Sequence, residues 1–261
     1  MKILVANPNT STGVTDRLVA SGKLVASPGT ELIPMTAPRG VPYIATRAEA
    51  AIGGAAFLEM LAERRGTCDA AICAAFGDPA LGGARELFDF PVVGMAEAAM
   101  LVACTLGRTF GIVSFSKSLE PWFAEIVAWH GLSNRCAAIR MLDRPFTDIN
   151  AVADEMEQLL VDLANKTVAD HGADVVILAG APLAGLANKI RDRVPVPLVD
   201  GIQAAVTMAE GLVRLNPRKA TAGTFRRPGP KDSTGLSQAL ADVIAHRGLP
   251  LAIARPRWRR R

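Results

Sequence analysis

The chain writes one phrase twice. DAAICAAFGDPAL runs from Asp69 to Leu81, and DVVILAGAPLAGLA begins at Asp174; each is an acidic residue, an apolar run, a Gly-containing turn and a Pro-Leu or Pro-Ala-Leu step. The offset is 105 for the Asp69/Asp174 pair. It is 106 for Pro91-Val92-Val93 against Pro197-Leu198-Val199 and for Ala98-Ala99 against Ala204-Ala205. Ile3–Ala6, opening into NPNTS, matches Ile112–Ser114, opening into FSKS, at nearly the same spacing. Elements repeated in one order at one offset predict an internal duplication of an α/β unit.

Short apolar runs alternate with Ala-rich helical stretches, the signature of a parallel α/β fold. The predicted strands are Ile3–Ala6, Glu31–Met35, Ala70–Ala74, Val92–Gly94, Gly111–Ser114, Ala138–Met141, Val175–Leu178 and Leu198–Val199. Their apolar runs are continuous, as expected for strands covered on both faces. Predicted helices include Ala48–Arg65, Ala96–Leu106, Ile149–Asp170 and Gln203–Leu215. The duplication implies two Rossmann-like lobes with parallel sheets related by a pseudo-twofold: 1–97 plus about 200–235, and 98–199. Residues 236–261 would add a C-terminal helix and a basic tail.

Ligands in such sheets sit beyond the carboxyl ends of the strands. The shared offset pairs Ala75 with Gly180, so these two positions would face each other across a symmetric cleft.

Composition narrows the classes. Of 261 residues half are apolar, but no run is long and unbroken enough to cross a membrane. MKILVANPNTS reads as a first strand entering a loop and lacks the pattern of a signal peptide. Cys68, Cys73, Cys104 and Cys136 show no metal or redox spacing, so a reduced, cytoplasmic protein is expected. The basic character is local: without Arg255, Arg257, Arg259, Arg260 and Arg261 the formal net charge of +4 becomes −1. That argues against a nucleic-acid partner, which needs cations spread over a face.

Four ordered motifs, NPNTS at 7–11, AAFGDPAL at 74–81, PVVGMAEAAM at 91–100 and ILAGAPLAGLA at 177–187, together resemble the aspartate/glutamate/hydantoin racemase family over roughly residues 1 to 235. The resemblance implies two lobes and no cofactor; no metal site is expected from the spacing of the residues. It also implies a pair of cysteines, one per lobe, that remove and return a proton on opposite faces of a carbon beside a carbonyl. A thiol/thiolate pair suits that work because it exchanges roles when the reaction reverses. The family's cysteine positions fall on Ala75 and Gly180 in this chain, so both thiols are absent.

Other groups must then be weighed for the chemistry. Asp78, followed by Pro79, reads most simply as the N-cap of the next helix, although a general base would also be well placed there. Glu97 and Asp200 follow the fourth strand of each lobe, where capping or an interlobe bond competes with catalysis. Tyr43, the only tyrosine, sits in VPYIATRAE beside Arg47 and could close over an anion. Cys73 reads as a core residue, and the histidines lie near helix ends. Asn9, Thr10 and Ser11, with Phe76-Gly77, Ser114, Ser116 and Ala181-Pro182, offer donors and turns for binding a small carboxylate or cyclic amide.

The expected protein is therefore a cofactor-independent racemase- or isomerase-type enzyme, forming a homo-oligomer. A hydrolase or lyase on a related ring, or a non-catalytic small-anion binder, is the alternative.

Overall fold

The acidic residue that opens each copy of the repeated phrase fastens the start of a strand. Asp69 accepts the Lys2 N–H at 2.7 Å while its own N–H donates to the Lys2 carbonyl. Asp174 does the same in the second copy, accepting from the N–H groups of Arg108 and Thr109, both at 2.9 Å. These contacts come from a computed structural model that describes residues 1–248. The basic tail lies outside the described residues.

In chain order the elements are β1 (Lys2–Asn7), α1 (Thr12–Lys23), β2 (Glu31–Thr36), α2 (Arg47–Glu63), β3 (Ala70–Cys73), α3 (Leu81–Leu87), β4 (Val92–Gly94) and α4 (Met95–Leu106). The second half runs β5 (Phe110–Ser114), α5 (Glu120–Trp129), β6 (Cys136–Met141), α6 (Val152–Glu155), α7 (Glu157–His171), β7 (Val175–Leu178), α8 (Leu186–Ile190), β8 (Leu198–Asp200), α9 (Gly201–Leu215) and α10 (Gln238–Ile244). All eight expected strands form.

They make two parallel four-stranded sheets, ordered β2-β1-β3-β4 and β6-β5-β7-β8. One order becomes the other when four is added to each strand, which is the duplication in structural form. The central strands β1, β3, β5 and β7 are buried almost throughout, as their unbroken apolar runs require.

The last helix of each repeat packs under the opposite sheet. The α4 helix leaves the first sheet and lies against β5, β7 and β8, whereas α9 leaves the second and lies against β1, β3 and β4; the two helices also pack on each other. Their small faces (Ala96, Ala98, Ala99 and Ala103 against Ala204, Ala205 and Ala209) are buried in one core that runs through both halves. A second core lies between the first sheet and α2, α3 and α10.

The helix expected over Ile149–Asp170 is two pieces, broken at Met156, whose backbone leaves helical geometry. No Gly or Pro marks the break. Val152, Ala153 and Met156 are all buried in the main core, so packing overrides local propensity there.

Candidate active site

Both repeated strands extend their ladder by one residue before turning. The Ala74 N–H donates to the Ala6 carbonyl and the Ala179 N–H to the Val113 carbonyl, each at 2.9 Å. The next residues are Ala75 and Gly180, and both line a single cavity of about 30 Å³. That space admits about two water molecules.

Its wall is mostly apolar, and five of its twelve residues are aromatic. Tyr43, Phe76, Phe115, Trp122 and Phe123 line it with Ile44 and Leu119, and Ala181-Pro182 follow Gly180. Five of the chain's thirteen aromatic residues are thus gathered at one point. Gly77, at φ +141°, is backed by Trp122, whose ring occupies the place a Cβ would take. Only glycine suits that turn.

Polar groups at the wall are few. Asn9, buried at the end of the NPN turn, is one. Tyr43 is the other: its hydroxyl is buried and makes no hydrogen bond. Burial chiefly pushes its pKa up to about 12; Ser116 and Ser118 are near enough to oppose that rise without closing a bond. Among the described residues that line the cavity there is no Lys, Arg, His, Asp or Glu.

The three carboxylates considered for catalysis each hold hydrogen bonds away from the cavity wall. Asp78 has φ +48° and does not cap the helix that follows it: α3 begins at Leu81 after Ala80, with no side-chain cap. This corrects the N-cap expectation. The Asp78 carboxylate instead accepts the N–H groups of Ala96 (2.9 Å) and Glu97 (2.8 Å), pinning the Phe76-Gly77 turn to the start of α4.

Asp200 makes the equivalent tie from the other side. It caps α9 through the N–H groups of Ile202 and Gln203 and reaches the Gly185 N–H at 2.5 Å, in the turn after β7. Its lobe-one counterpart by the 106 offset is Gly94, where an added Cβ would run into the Asp78 carboxylate. One carboxylate therefore binds turn to helix in each half, supplied by the turn in one and by the strand end in the other. Burial raises the pKa of both.

Glu97 forms an ion pair with Arg85 (Nη1 to Oε1, 2.9 Å), and His130 lies between it and Asp78 at 3.6 and 3.5 Å, its Nε2 unpaired. None of these groups lines the cavity. Arg47, expected to clasp an anion, is the first residue of α2 and pairs instead with Glu125 of α5, Nε to Oε2 at 2.9 Å. Thr46 and Glu49 form the capping box beside it.

The remaining expected binding residues divide. Ser11 caps α1 and bonds Asn150; the Thr10 N–H donates to the Val41 carbonyl. Ser114 is buried and donates to the Ala179 carbonyl at 2.7 Å, and Ser116 pairs with Ser118. None of the four is on the cavity wall. Cys73 points into the second core, its thiol bonded to the Pro79 carbonyl, and burial holds its pKa well above the ordinary thiol value. Among the described residues no group of three His, Cys, Asp or Glu could hold a metal ion, and no helix is long and apolar enough to cross a membrane.

Sequence reasoning missed Ile44, Phe115, Leu119, Trp122 and Phe123, because apolar residues after a strand read as core. The signal available was clustering: Phe115, Trp122 and Phe123 fall within nine residues in a chain only 5% aromatic.

The comparison with known proteins agrees with this fold. The Asp/Glu/Hydantoin racemase family model matches residues 3–209. The chain belongs to the Asp/Glu/hydantoin racemase family. It is 32% identical over 233 residues to a hydantoin racemase of Paenarthrobacter aurescens, covering 88% of this chain and 99% of that one. Among solved structures, an allantoin racemase from Klebsiella pneumoniae superposes with a TM-score of 0.87 at 32% identity, over 92% of this chain and 98% of that one. An allantoin racemase from Pseudomonas fluorescens gives a TM-score of 0.84 at 32% identity, over 90% and 100%. This racemase-family chain thus shares the two-lobe α/β fold, and its family is one of isomerases.

Proposed function

We propose that this racemase-family protein takes a small, neutral cyclic amide of the hydantoin type into the cavity between Ala75 and Gly180, and exchanges the proton on the ring carbon beside a carbonyl. The observation that carries this is the wall: apolar and aromatic residues, one amide and one phenol, with no cation on it. A carboxylate desolvated there without a counter-charge is heavily penalised. A ring amide brings hydrogen-bonding groups and no net charge. The names of the similar hydantoin and allantoin racemases favour the same substrate class. No cofactor enters the proposal.

With Asp78, Glu97 and Asp200 engaged elsewhere and no thiol at residue 75 or 180, Tyr43 is the titratable side chain at the wall. At a pKa of about 12 its phenol is protonated at neutral pH, so it acts as a hydrogen-bond donor and stabilises the enolate oxygen. A water beside the ring takes the proton from one face while Tyr43 hydrogen-bonds the forming enolate oxygen, the hydronium and enolate compensating each other's charge. Solvent then returns a proton to carbon from the opposite face, so that water and phenol both end unchanged. The ring is larger than the present cavity, so binding requires the aromatic wall to part. Arg47 and Glu125 join α2 to α5 beside that wall and would set how readily it does.

The lobe limits of 1–97 plus 200–235, and 98–199, belong to this proposal and are supported by the exchanged packing of α4 and α9. So does self-association in the cytoplasm. Trp129 and Phe225, both substantially exposed, flank Gly82 of α3 and offer a face for a second copy; sedimentation velocity of the W129S variant tests it.

The test of function is proton NMR of an enantiopure 5-substituted hydantoin in deuterium oxide. Loss of the ring C–H signal together with loss of optical rotation supports racemisation. Ring opening would identify a hydrolase instead, and saturable binding with neither change a non-catalytic binder.

A further inference from the structure

We propose that Asn7 is a positioning residue that holds the Asn9 side chain as a hydrogen-bond donor toward the cavity, and so sets the preference for a carbonyl oxygen on the bound ring. The inference rests on the cyclic-amide reading above.

Asn7 ends β1 and is fully buried. Its Oδ1 accepts the Asn9 backbone N–H at 3.2 Å. Its Nδ2 shares its two protons among three acceptors, the Asn9 Oδ1 at 2.9 Å, the Thr15 hydroxyl at 3.0 Å and the Ser11 carbonyl at 3.1 Å. Two of these partners, a backbone N–H and a backbone carbonyl, have fixed polarity, so the Asn7 amide has one orientation.

That orientation fixes the next amide. The Asn9 Oδ1 accepts from Asn7 and also from the Ser11 N–H at 2.9 Å. Turning the Asn9 amide over would set its NH2 against two donors. Both acceptor positions of Oδ1 are therefore filled, and the Asn9 Nδ2, which bonds no group among the described residues, is the part left for a ligand at the wall. A donor there favours an acceptor atom, and favours it more as that atom gains negative charge. Ser114 ends β5 as Asn7 ends β1, but it is spent on the Ala179 carbonyl. The donor device exists in one lobe only.

Two measurements test this. In the first, binding of 5-methylhydantoin is compared with that of its 4-thio analogue, whose sulfur is a weaker acceptor. The oxygen compound should be favoured about tenfold. That preference should vanish in Asn7→Asp, in the shorter Asn7→Ser and in Asn9→Ala, and persist in Thr15→Val, which removes another Asn7 partner without touching Asn9. Equal weakening of both compounds in the Asn7 variants, or loss of the preference in Thr15→Val, would overturn the proposal.

The second measurement needs no ligand. The Asn9 side-chain NH2 resonances, identified by their loss in Asn9→Ala, should move and exchange faster with water in Asn7→Ser. If they stay in place, Asn7 does not position Asn9, whatever the protein binds. Failure of the parent to bind either ring would count against the cyclic-amide reading alone, and the resonances would still decide the role of Asn7.

Discussion

Phe115 and Gly180 share one space: a Cβ built on Gly180 would lie 2.9 Å from the Phe115 ring. Gly180 also has φ +116°, a conformation that side chains disfavour. Position 180 is therefore shaped around glycine, and the Phe115 ring fills the space that a side chain there would take. Ala75 is different, since it carries a Cβ in ordinary backbone already.

Thiols introduced at the two positions should consequently behave unequally. Ala75→Cys should fold with stability close to the parent's and expose a thiol that substrate protects from alkylation. Gly180→Cys combines backbone strain with overpacking and should cost roughly 2–5 kcal/mol. Urea denaturation of both variants checks this.

Tyr43→Phe should separate stability from activity. The hydroxyl is buried and unpaired, so removing it discards an uncompensated polar group. The variant should melt at or above the parent's temperature while its exchange rate falls about a hundredfold. Because the phenol titrates at about 12, parent activity should show no fall attributable to Tyr43 below pH 10.

Asp78→Asn tests the tie between turn and helix. An amide replaces one acceptor oxygen with a donor, so one of the bonds from Ala96 and Glu97 is lost, at about 1–3 kcal/mol. The pH dependence has a definite sign. Burial holds the Asp78 pKa above its ordinary value in the folded protein. The associated stabilisation is complete below the unfolded value, near pH 3.9, and is lost as pH rises through the elevated folded one. Parent stability should decline over that window by a component that Asp78→Asn lacks, which a pH series of denaturation curves would reveal.

Iodoacetamide should leave activity intact at neutral pH. Burial raises the thiol of Cys73 far above its ordinary value, that of Cys68 to about 12 and that of Cys136 to about 11, and none of the four cysteines lines the cavity. Activity assays before and after alkylation, with thiols counted by mass spectrometry, check it.

The frame of the molecule was legible because strand periodicity and the repeat are local or additive signals. Ala75 and Gly180 could be paired from an offset, and the structure places both on one cavity. The carboxylates were not legible in the same way. Asp78 looks like a cap for its own helix, and only the return of β4 beside β3 brings the Ala96 and Glu97 N–H groups to it. Arg47 and Glu125 are 78 residues apart and meet only when the lobes face each other. A single aromatic residue carries no mark that separates a cavity wall from a core; only the clustering of Phe115, Trp122 and Phe123 hinted at one.

The most direct measurement is a titration followed by methyl and amide NMR, with a neutral 5-substituted hydantoin in one series and glutamate in the other. The account predicts that the hydantoin shifts the Ala75 methyl and the Gly180 amide together, saturably, and that glutamate leaves both unmoved. Glutamate shifting this pair, or the hydantoin shifting neither, would contradict it.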